Sequence, residues 1–196
     1  MLEARRQSVS GRPWVWLRQV HGALCLDVDE LGVDVVVGAE ADAVVASSAN
    51  VALCVQTADC LPMVLWSDDG VIAAVHVGWR GLEAGVIDAA FSAVRNRTSA
   101  PVHAFLGPSI GPECYEFGDD ERRRLAQRFG DSVLGETTTG APALDVRSAA
   151  RAELQRLAIE IDLDDDRCTS CDEAFFSHRA RRESERQTTV VWIEER

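Results

Sequence analysis

The stretch VIAAVHVGWRGLEAGV, residues 71–86, changes character halfway along. Residues 71–77 form an unbroken valine-rich apolar run carrying His76, the reading of a strand buried on both faces. Gly78 and Gly81 punctuate the run, and from 81 to 97 Leu82, Val86, Ala89, Ala90 and Val94 recur at helical spacing. The stretch therefore reads as strand, glycine turn, helix, with a histidine closing the strand. Upstream, WVWLRQV, ALCLDV, DAVVAS, VALCVQ and PMVLW are further short strands separated by Gly, Asp, Asn and Ser. Downstream, a helix is predicted near 119–129 and another over 147–161 through Ala150, Leu154, Leu157, Ala158 and Ile161. HAFLG and the late TTVVWI add strands. The sum is a mixed α/β fold, helices packed on a largely buried sheet, in one domain spanning 1–196. GETTTGAPA (135–143) and ARRESERQ (180–187) are expected to run over the surface.

Composition narrows the function classes. The formal charge is −12 and all 20 basic residues are arginine, so no lysine-rich stripe exists to hold a phosphodiester backbone, and nucleic acid is excluded as the expected partner. No apolar run of about 18 residues is present to span a bilayer, and MLEARRQSVSG lacks a secretory apolar region. A cytoplasmic location is the expectation. In that reducing compartment the six cysteines read as packing, metal ligation or reactivity rather than a disulfide framework.

Three segments place soft or nitrogen ligands where strands should give way to loops: RQVHG around His21, QTADC around Cys60, and AVHVGWRG around His76. A lone His or Cys in such a segment is more often a packed residue than a ligand. Two imidazoles and one thiolate together match a catalytic transition-metal site, zinc or alternatively copper, with a fourth position open to water or substrate. In HVGWRG, Gly78 and Gly81 would let backbone N–H groups approach an anion while Arg80 offers a fork of donors suited to phosphate. The alternative for Arg80 is a solvated surface arginine.

QVHG (19–22), TADCLPM (57–63), HVGWRGLEAGV (76–86), LGPSIGPECYEFG (106–118) and CTSCDEAFFSHR (168–179), in that order, resemble the YfiH/laccase-domain family. The resemblance runs from about Gln19 to the carboxyl terminus. It implies a three-layer α/β fold and a zinc or copper site whose ligands match His21, Cys60 and His76. The family was named for polyphenol oxidation. Members are assigned purine nucleoside phosphorylase, adenosine deaminase and methylthioadenosine phosphorylase activities, and some bacterial relatives are linked to peptidoglycan editing. The implied partners are purine nucleosides and phosphate.

For deamination, Asp59 is the candidate proton carrier, set against a purely structural turn next to Cys60. For phosphorolysis, the turn from Gly78 to Gly81 with Arg80 is the candidate phosphate cradle, and His178, which the resemblance places near the active site, a candidate substrate contact. The segment 107–118 either lines the pocket or forms a tight turn, with Cys114 either buried or reactive.

Other signals stay open or fall away. Cys168 and Cys171 form one CxxC, half of a structural zinc site or a thiol-exchange pair. The cytidine-deaminase pattern is absent, since no His-x-Glu stands upstream. Asp162, Asp164, Asp166 and Glu173 fit a calcium-loop template, but Arg167 stands where that loop needs glycine. His103 is read as structural. Competing functions are a metal-free cysteine hydrolase with Cys60 as nucleophile and His76 as base, a copper-dependent polyphenol oxidase, and a metal-stapled module without catalysis. Relatives also carry a segment before the QVHG motif, including a TRxGGVS-like stretch, whereas only residues 1–18 precede Gln19. The expectation is a shortened amino-terminal segment, an exposed sheet edge, retained metal binding with weakened nucleoside affinity, and a homodimer that would cover the edge.

Overall fold

A computed structural model describes residues 2–194. Its main sheet has six strands in the spatial order Glu160–Asp164, Val102–Leu106, Leu61–Ser67, Ile72–Val77, Ala43–Ala46 and Cys25–Asp27. The outermost pairs are parallel and the inner ones antiparallel. A smaller sheet joins Trp14–Val15, Ala52–Thr57 and Gln187–Trp192, and Leu134–Glu136 pairs with Pro142–Leu144.

Side-chain alternation divides the core in two. Ala43, Val45, Met63, Leu65, Ala73 and Val75 face the helices Val86–Arg95, Asp119–Phe129 and Val146–Arg156, meeting Val86, Ile87, Leu125 and Leu154. Val44, Ala46, Ile72 and Ala74, on the opposite face, pack against Val15, Leu53 and Val55 of the small sheet. Strands buried on both faces cannot alternate apolar with polar, which is why VIAAVHV and DAVVAS read as continuous apolar runs. The architecture is the three-layer mixed α/β arrangement expected from the sequence, with a second sheet as its third layer.

Register delivers the site. Val75 lies opposite Ala43, and Val77 opposite Leu61. Leu106 pairs with both Met63 and Asp164. The residues just outside these pairs, Asp42, Cys60, Gly107 and Asp165, therefore emerge together at one end of the sheet.

The secondary-structure reading needs three corrections. The helix read over 81–97 is two, Trp79–Ala84 and Val86–Arg95, broken where Gly85 takes φ 90°. The helix read over 147–161 is Val146–Arg156. Ala158 turns the chain at φ 55°, and Ile161 belongs to the strand Glu160–Asp164, whose apolar residue happened to continue the helical period. Of WVWLRQV only Trp14–Val15 is strand, because Trp16 and Arg18 then bond to Gly38 and Ala39 instead of continuing the ladder. Among the described residues, no helix is long and apolar enough to cross a membrane.

Three helices are tied by one ion-pair cluster. Glu153, nearly buried, accepts from Arg156 at 2.8 Å and Arg128 at 3.4 Å, and Arg128 also reaches Asp88 at 3.1 Å. Burial alone would raise the Glu153 carboxyl, but hydrogen bonds from Arg156 and Asp88 and the two guanidinium charges bring it down to about 2 from 4.5. Its contribution is fully present above pH 4.5 and is lost as pH falls toward 2. Asp88 is pushed up by its contact with Glu153 and offsets part of the gain. Glu153→Gln should therefore destabilise the fold by about 1–2 kcal/mol at neutral pH in urea unfolding. That difference from the wild type should shrink as the titration descends through this window; a difference independent of pH would exclude the carboxylate charge as its origin.

Candidate metal centre and cleft

At the site end of the sheet, Asp42 is fully buried directly before the strand Ala43–Ala46. Its carboxylate accepts from three successive backbone N–H groups, Val20 at 3.2 Å, His21 at 2.9 Å and Gly22 at 2.7 Å, and from His76 Nδ1–H at 2.8 Å. Burial alone would raise this carboxyl, but the bonds from His76, Gly22 and His21 hold it below its ordinary value. The three amide bonds impose φ 60° on His21, a left-handed conformation uncommon for a residue with a Cβ. With Nδ1 engaged, His76 presents Nε2 to the opposite side, the carboxylate–histidine arrangement that orients metal ligands.

Cys60 completes the cluster. Its Sγ lies 3.6 Å from His21 Nε2, and the two imidazoles meet edge-on with centroids 4.8 Å apart. One ligand atom from each of His21, Cys60 and His76 falls within 4.8 Å of the others. Burial alone would push the Cys60 thiol up, but hydrogen bonds and charge from His21 and His76 bring it down to about 6. Burial also opposes protonation of His76, but its bonds to Asp42 and Cys60 raise it to about 9. The cluster thus favours a thiolate beside an imidazolium, and a dication displacing the imidazolium proton would find one thiolate and two imidazoles ready. This donor set fits a borderline-soft transition-metal ion.

The expected phosphate cradle has a different structural reason. A Cβ on Gly78 would stand 2.6 Å from His21 Cδ2 and 3.4 Å from Cys60 Sγ, and one on Gly81 would stand 3.0 Å from the Gly22 carbonyl oxygen. Both glycines are explained by the close approach of the His21 turn. Arg80 lies on the cleft wall with its guanidinium 4.4 Å over the Trp79 ring, and among the described residues no carboxylate pairs with it.

Asp59, also in a left-handed conformation at φ 96°, turns its carboxylate away from open solvent. Oδ1 accepts from Thr169 Oγ1 at 2.8 Å and Ser177 Oγ at 2.7 Å, and Oδ2 from Arg179 N at 2.7 Å. The side chain read as a proton carrier is thus occupied in anchoring the 168–179 segment. His178 begins the short helix His178–Arg181 on the exposed rim of the cleft.

The cleft measures about 600 Å³ and contains all three cluster residues, within the size range of small-molecule sites. Arg18, Arg80, Arg179 and Arg186 line it, a basic mouth on an acidic chain. Tyr115, which the sequence reading did not single out, also faces it, its hydroxyl pushed up to about 12 chiefly by burial and Arg179 stacked 4.9 Å over its ring. Asp42 was likewise missed. The Gly/Pro loop 107–118 pointed toward Tyr115, but nothing local marked Asp42.

Fold and site define a three-layer mixed α/β protein with a His2Cys cluster at the base of a basic cleft. Residues 2–194 match the family described as multi-copper polyphenol oxidoreductase laccase, and the chain belongs to that family, the YfiH/laccase-domain proteins. It is 40% identical over 187 residues to a purine nucleoside phosphorylase of Xylella fastidiosa, covering 91% of this chain and 71% of that one. Over 196 residues it is 36% identical to a purine nucleoside phosphorylase of Streptomyces coelicolor, covering 98% and 80%. Among solved structures, a Neisseria meningitidis protein superposes with TM-score 0.86 at 29% identity, covering 99% of this chain and 80% of that one. YlmD from Geobacillus stearothermophilus superposes with TM-score 0.82 at 30% identity, covering 99% and 78%.

In metal-stripped protein, the Cys60-dependent rate of alkylation by iodoacetamide, taken as wild type minus Cys60→Ser, should rise with a midpoint near pH 6. Asp42→Asn removes the charge that supports the His76 imidazolium and should move the midpoint up toward 9.0. Gly78→Ala should do the same by driving the His21 ring off Cys60. A midpoint unmoved in both variants would show that neither imidazole activates the thiol.

Proposed function

We propose that this protein cleaves purine nucleosides with phosphate in the cleft above His21, Cys60 and His76, with these three residues holding a zinc or copper ion. The observation that carries the reading is the convergence of the His2Cys cluster with a cleft lined by four arginines on a chain of charge −12. The relatives named purine nucleoside phosphorylase support the substrate class. When bound, such an ion supplies Lewis acidity at the base of the cleft.

The chain's own residues do the rest. Arg80, resting over the Trp79 ring and lacking a carboxylate partner among the described residues, binds phosphate through charge-assisted hydrogen bonds, with Arg179 and the first backbone N–H groups after Gly78 nearby. A phosphate oxygen forms the new bond to ribose C1′ as the bond from C1′ to the purine nitrogen breaks. The bonding pair leaves with the purine, which takes up a proton. Tyr115, protonated throughout the neutral range, presents a hydroxyl donor to the leaving base, and His178 contacts the substrate at the rim. Asp42 and Asp59 position: the first aims His76 and His21, and the second holds the segment bearing His178 and Arg179. Adenosine deamination, in which water adds at C6 and ammonia departs, would use the same pocket without phosphate.

One observation favours a second reading. The lowered Cys60 pKa beside a protonated His76 is also the pairing of a cysteine hydrolase. Metal analysis and turnover separate the two. Cys60→Ala should lose its bound ion and its phosphorolysis together, whereas chelation should leave a cysteine hydrolase active. Arg80→Ala should raise the KM for phosphate about tenfold or more, the loss of one charge-assisted contact, with less effect on the KM for nucleoside. An unchanged phosphate dependence would remove Arg80 from the site.

A further inference from the structure

Outside the cleft, the fold gathers a second set of ligating side chains. Cys114 belongs to the turn Pro112–Cys114, and Cys168 and Cys171 belong to the segment after the strand Glu160–Asp164, more than fifty residues later. Cys114 Sγ lies 3.3 Å from Cys171 Sγ, and Cys171 Sγ lies 3.7 Å from Glu113 Oε1. One ligand atom from each of Glu113, Cys114, Cys168 and Cys171 falls within 4.8 Å of all the others. We propose that these four residues form a second metal site that takes one zinc ion and clamps the 107–118 loop to the 168–179 segment.

The geometry carries this in three ways. Sulfurs about 2.3 Å from a tetrahedral zinc stand about 3.8 Å from one another, and the Cys114–Cys171 separation of 3.3 Å is nearer that spacing than the ~2.05 Å of a disulfide. The CxxC is wound as a ligand knuckle: the N–H groups of Cys171 and Asp172 both donate to the Cys168 carbonyl, at 3.1 and 3.0 Å, turning both thiols to one side. Gly111 N–H donates to Cys168 Sγ at 3.2 Å, the outer hydrogen bond that stabilises a thiolate ligand. Glu113 adds the fourth donor. An added Cβ on Gly111 would overlap its carboxylate, so that glycine leaves the room in which Glu113 folds back over the cysteines. Among the described residues no cationic side chain pairs with Glu113, leaving a carboxylate beside three thiols with no positive charge to balance them.

Binding would convert three thiols to thiolates and release three protons to solvent, with no change of oxidation state. The clamp would act on the cleft from behind. One tied segment carries Tyr115, and the other carries Thr169, Ser177 and Arg179, the three donors to Asp59. Backbone bonds between Ser109 and Thr169, at 3.1 Å, and between Ser109 and Arg167, at 3.3 Å, already zip the inner ends of these segments, and the metal would close the outer ends.

The test is metal content after reconstitution with zinc under reducing conditions, followed by gel filtration. Wild type should hold about two zinc ions per chain, Cys60→Ala about one, and Cys60→Ala/Cys171→Ser none. In Cys60→Ala, cobalt in place of zinc should give an intense thiolate-to-cobalt absorption that is lost on adding Cys171→Ser or Cys114→Ser. Cys171 is exposed, so its replacement by serine leaves the core intact, and Glu113→Gln tests the fourth ligand without touching a cysteine. EDTA should lower the Tm of Cys60→Ala but not of the double variant. The proposal is overturned if Cys60→Ala binds no zinc, if the Cys171→Ser change leaves the stoichiometry unaltered, or if the protein purified without reductant carries a Cys114–Cys171 disulfide that reforms in place of zinc uptake.

Discussion

One buried carboxylate organises the reactive end of this protein. Asp42 has no exposed surface, and moving an unpaired carboxylate into such a place would cost several kcal/mol. Four donors offset that cost, and each does something beyond neutralising charge. Three backbone amides fold Val20, His21 and Gly22 around the oxygens and bend His21 into a conformation its Cβ disfavours by about 1–3 kcal/mol. The fourth, from His76, fixes which imidazole nitrogen faces Cys60. Asp42 directly precedes the neighbouring strand, one register step beyond the Ala43–Val75 pair and so opposite His76, whose own N–H donates to the Asp42 carbonyl at 2.7 Å, so the sheet sets the geometry before any side chain does.

Asp59 repeats the device on the other side of Cys60. It too is buried and saturated with donors, three in its case, but it is itself left-handed and its donors come from a segment more than a hundred residues away. The two carboxylates hold the wall of His21 and the wall of Arg179 at fixed separation, with Cys60 between them. The only other left-handed non-glycine residues among those described are Ala158 and Arg182, both at helix ends where such turns are ordinary. Local strain at His21 and Asp59 therefore marks where packing overrides backbone preference, which is also where the chemistry is read.

The legibility of these features in the sequence follows their physical range. Valine-rich runs and helical periods are local, so strands and most helices were readable, and the five motifs in order carried the family. His21, Cys60 and His76 were readable as a set because ligating residue types are few and each stands where the apolar pattern predicts a strand giving way to a loop. Asp42 was not, because in DAVVAS it resembles any polar residue before a strand; only its contacts with residues 20–22 and 76 reveal it. The glycines of HVGWRG were noticed for the right property, absence of a side chain, but the occupant of that space is the His21 ring. The break at Gly85 was hidden because Val86 and Ala90 continue the apolar period across it. The CxxC looked like half a site, since the partners Glu113 and Cys114 are set by the pairing of Leu106 with Asp164.

Charge distribution links the two clusters to the rest of the chain. Most arginines here are committed to carboxylates: Arg97 to Asp27 and Asp29, Arg147 and Arg151 to Asp164, Arg156 to Asp88 and Glu153. Of the arginines at the cleft, Arg18 pairs with Glu40 at 2.8 Å, whereas the guanidinium groups of Arg80 and Arg179 lie over the rings of Trp79 and Tyr115 and have no carboxylate partner among the described residues. On a chain of charge −12 the long-range field repels anions, so binding one requires short-range donors held in place in advance rather than a general positive surface. The aromatic supports would meet that requirement for the proposed phosphate. The two cysteine clusters would meet the opposite one, since the same overall charge would favour a dication at both His21–Cys60–His76 and Glu113–Cys114–Cys168–Cys171. On the proposed readings, an acidic protein with a locally basic cleft would separate its two kinds of ligand, drawing cations to its cysteines by its overall field and holding anions only where the ring-supported arginines meet them.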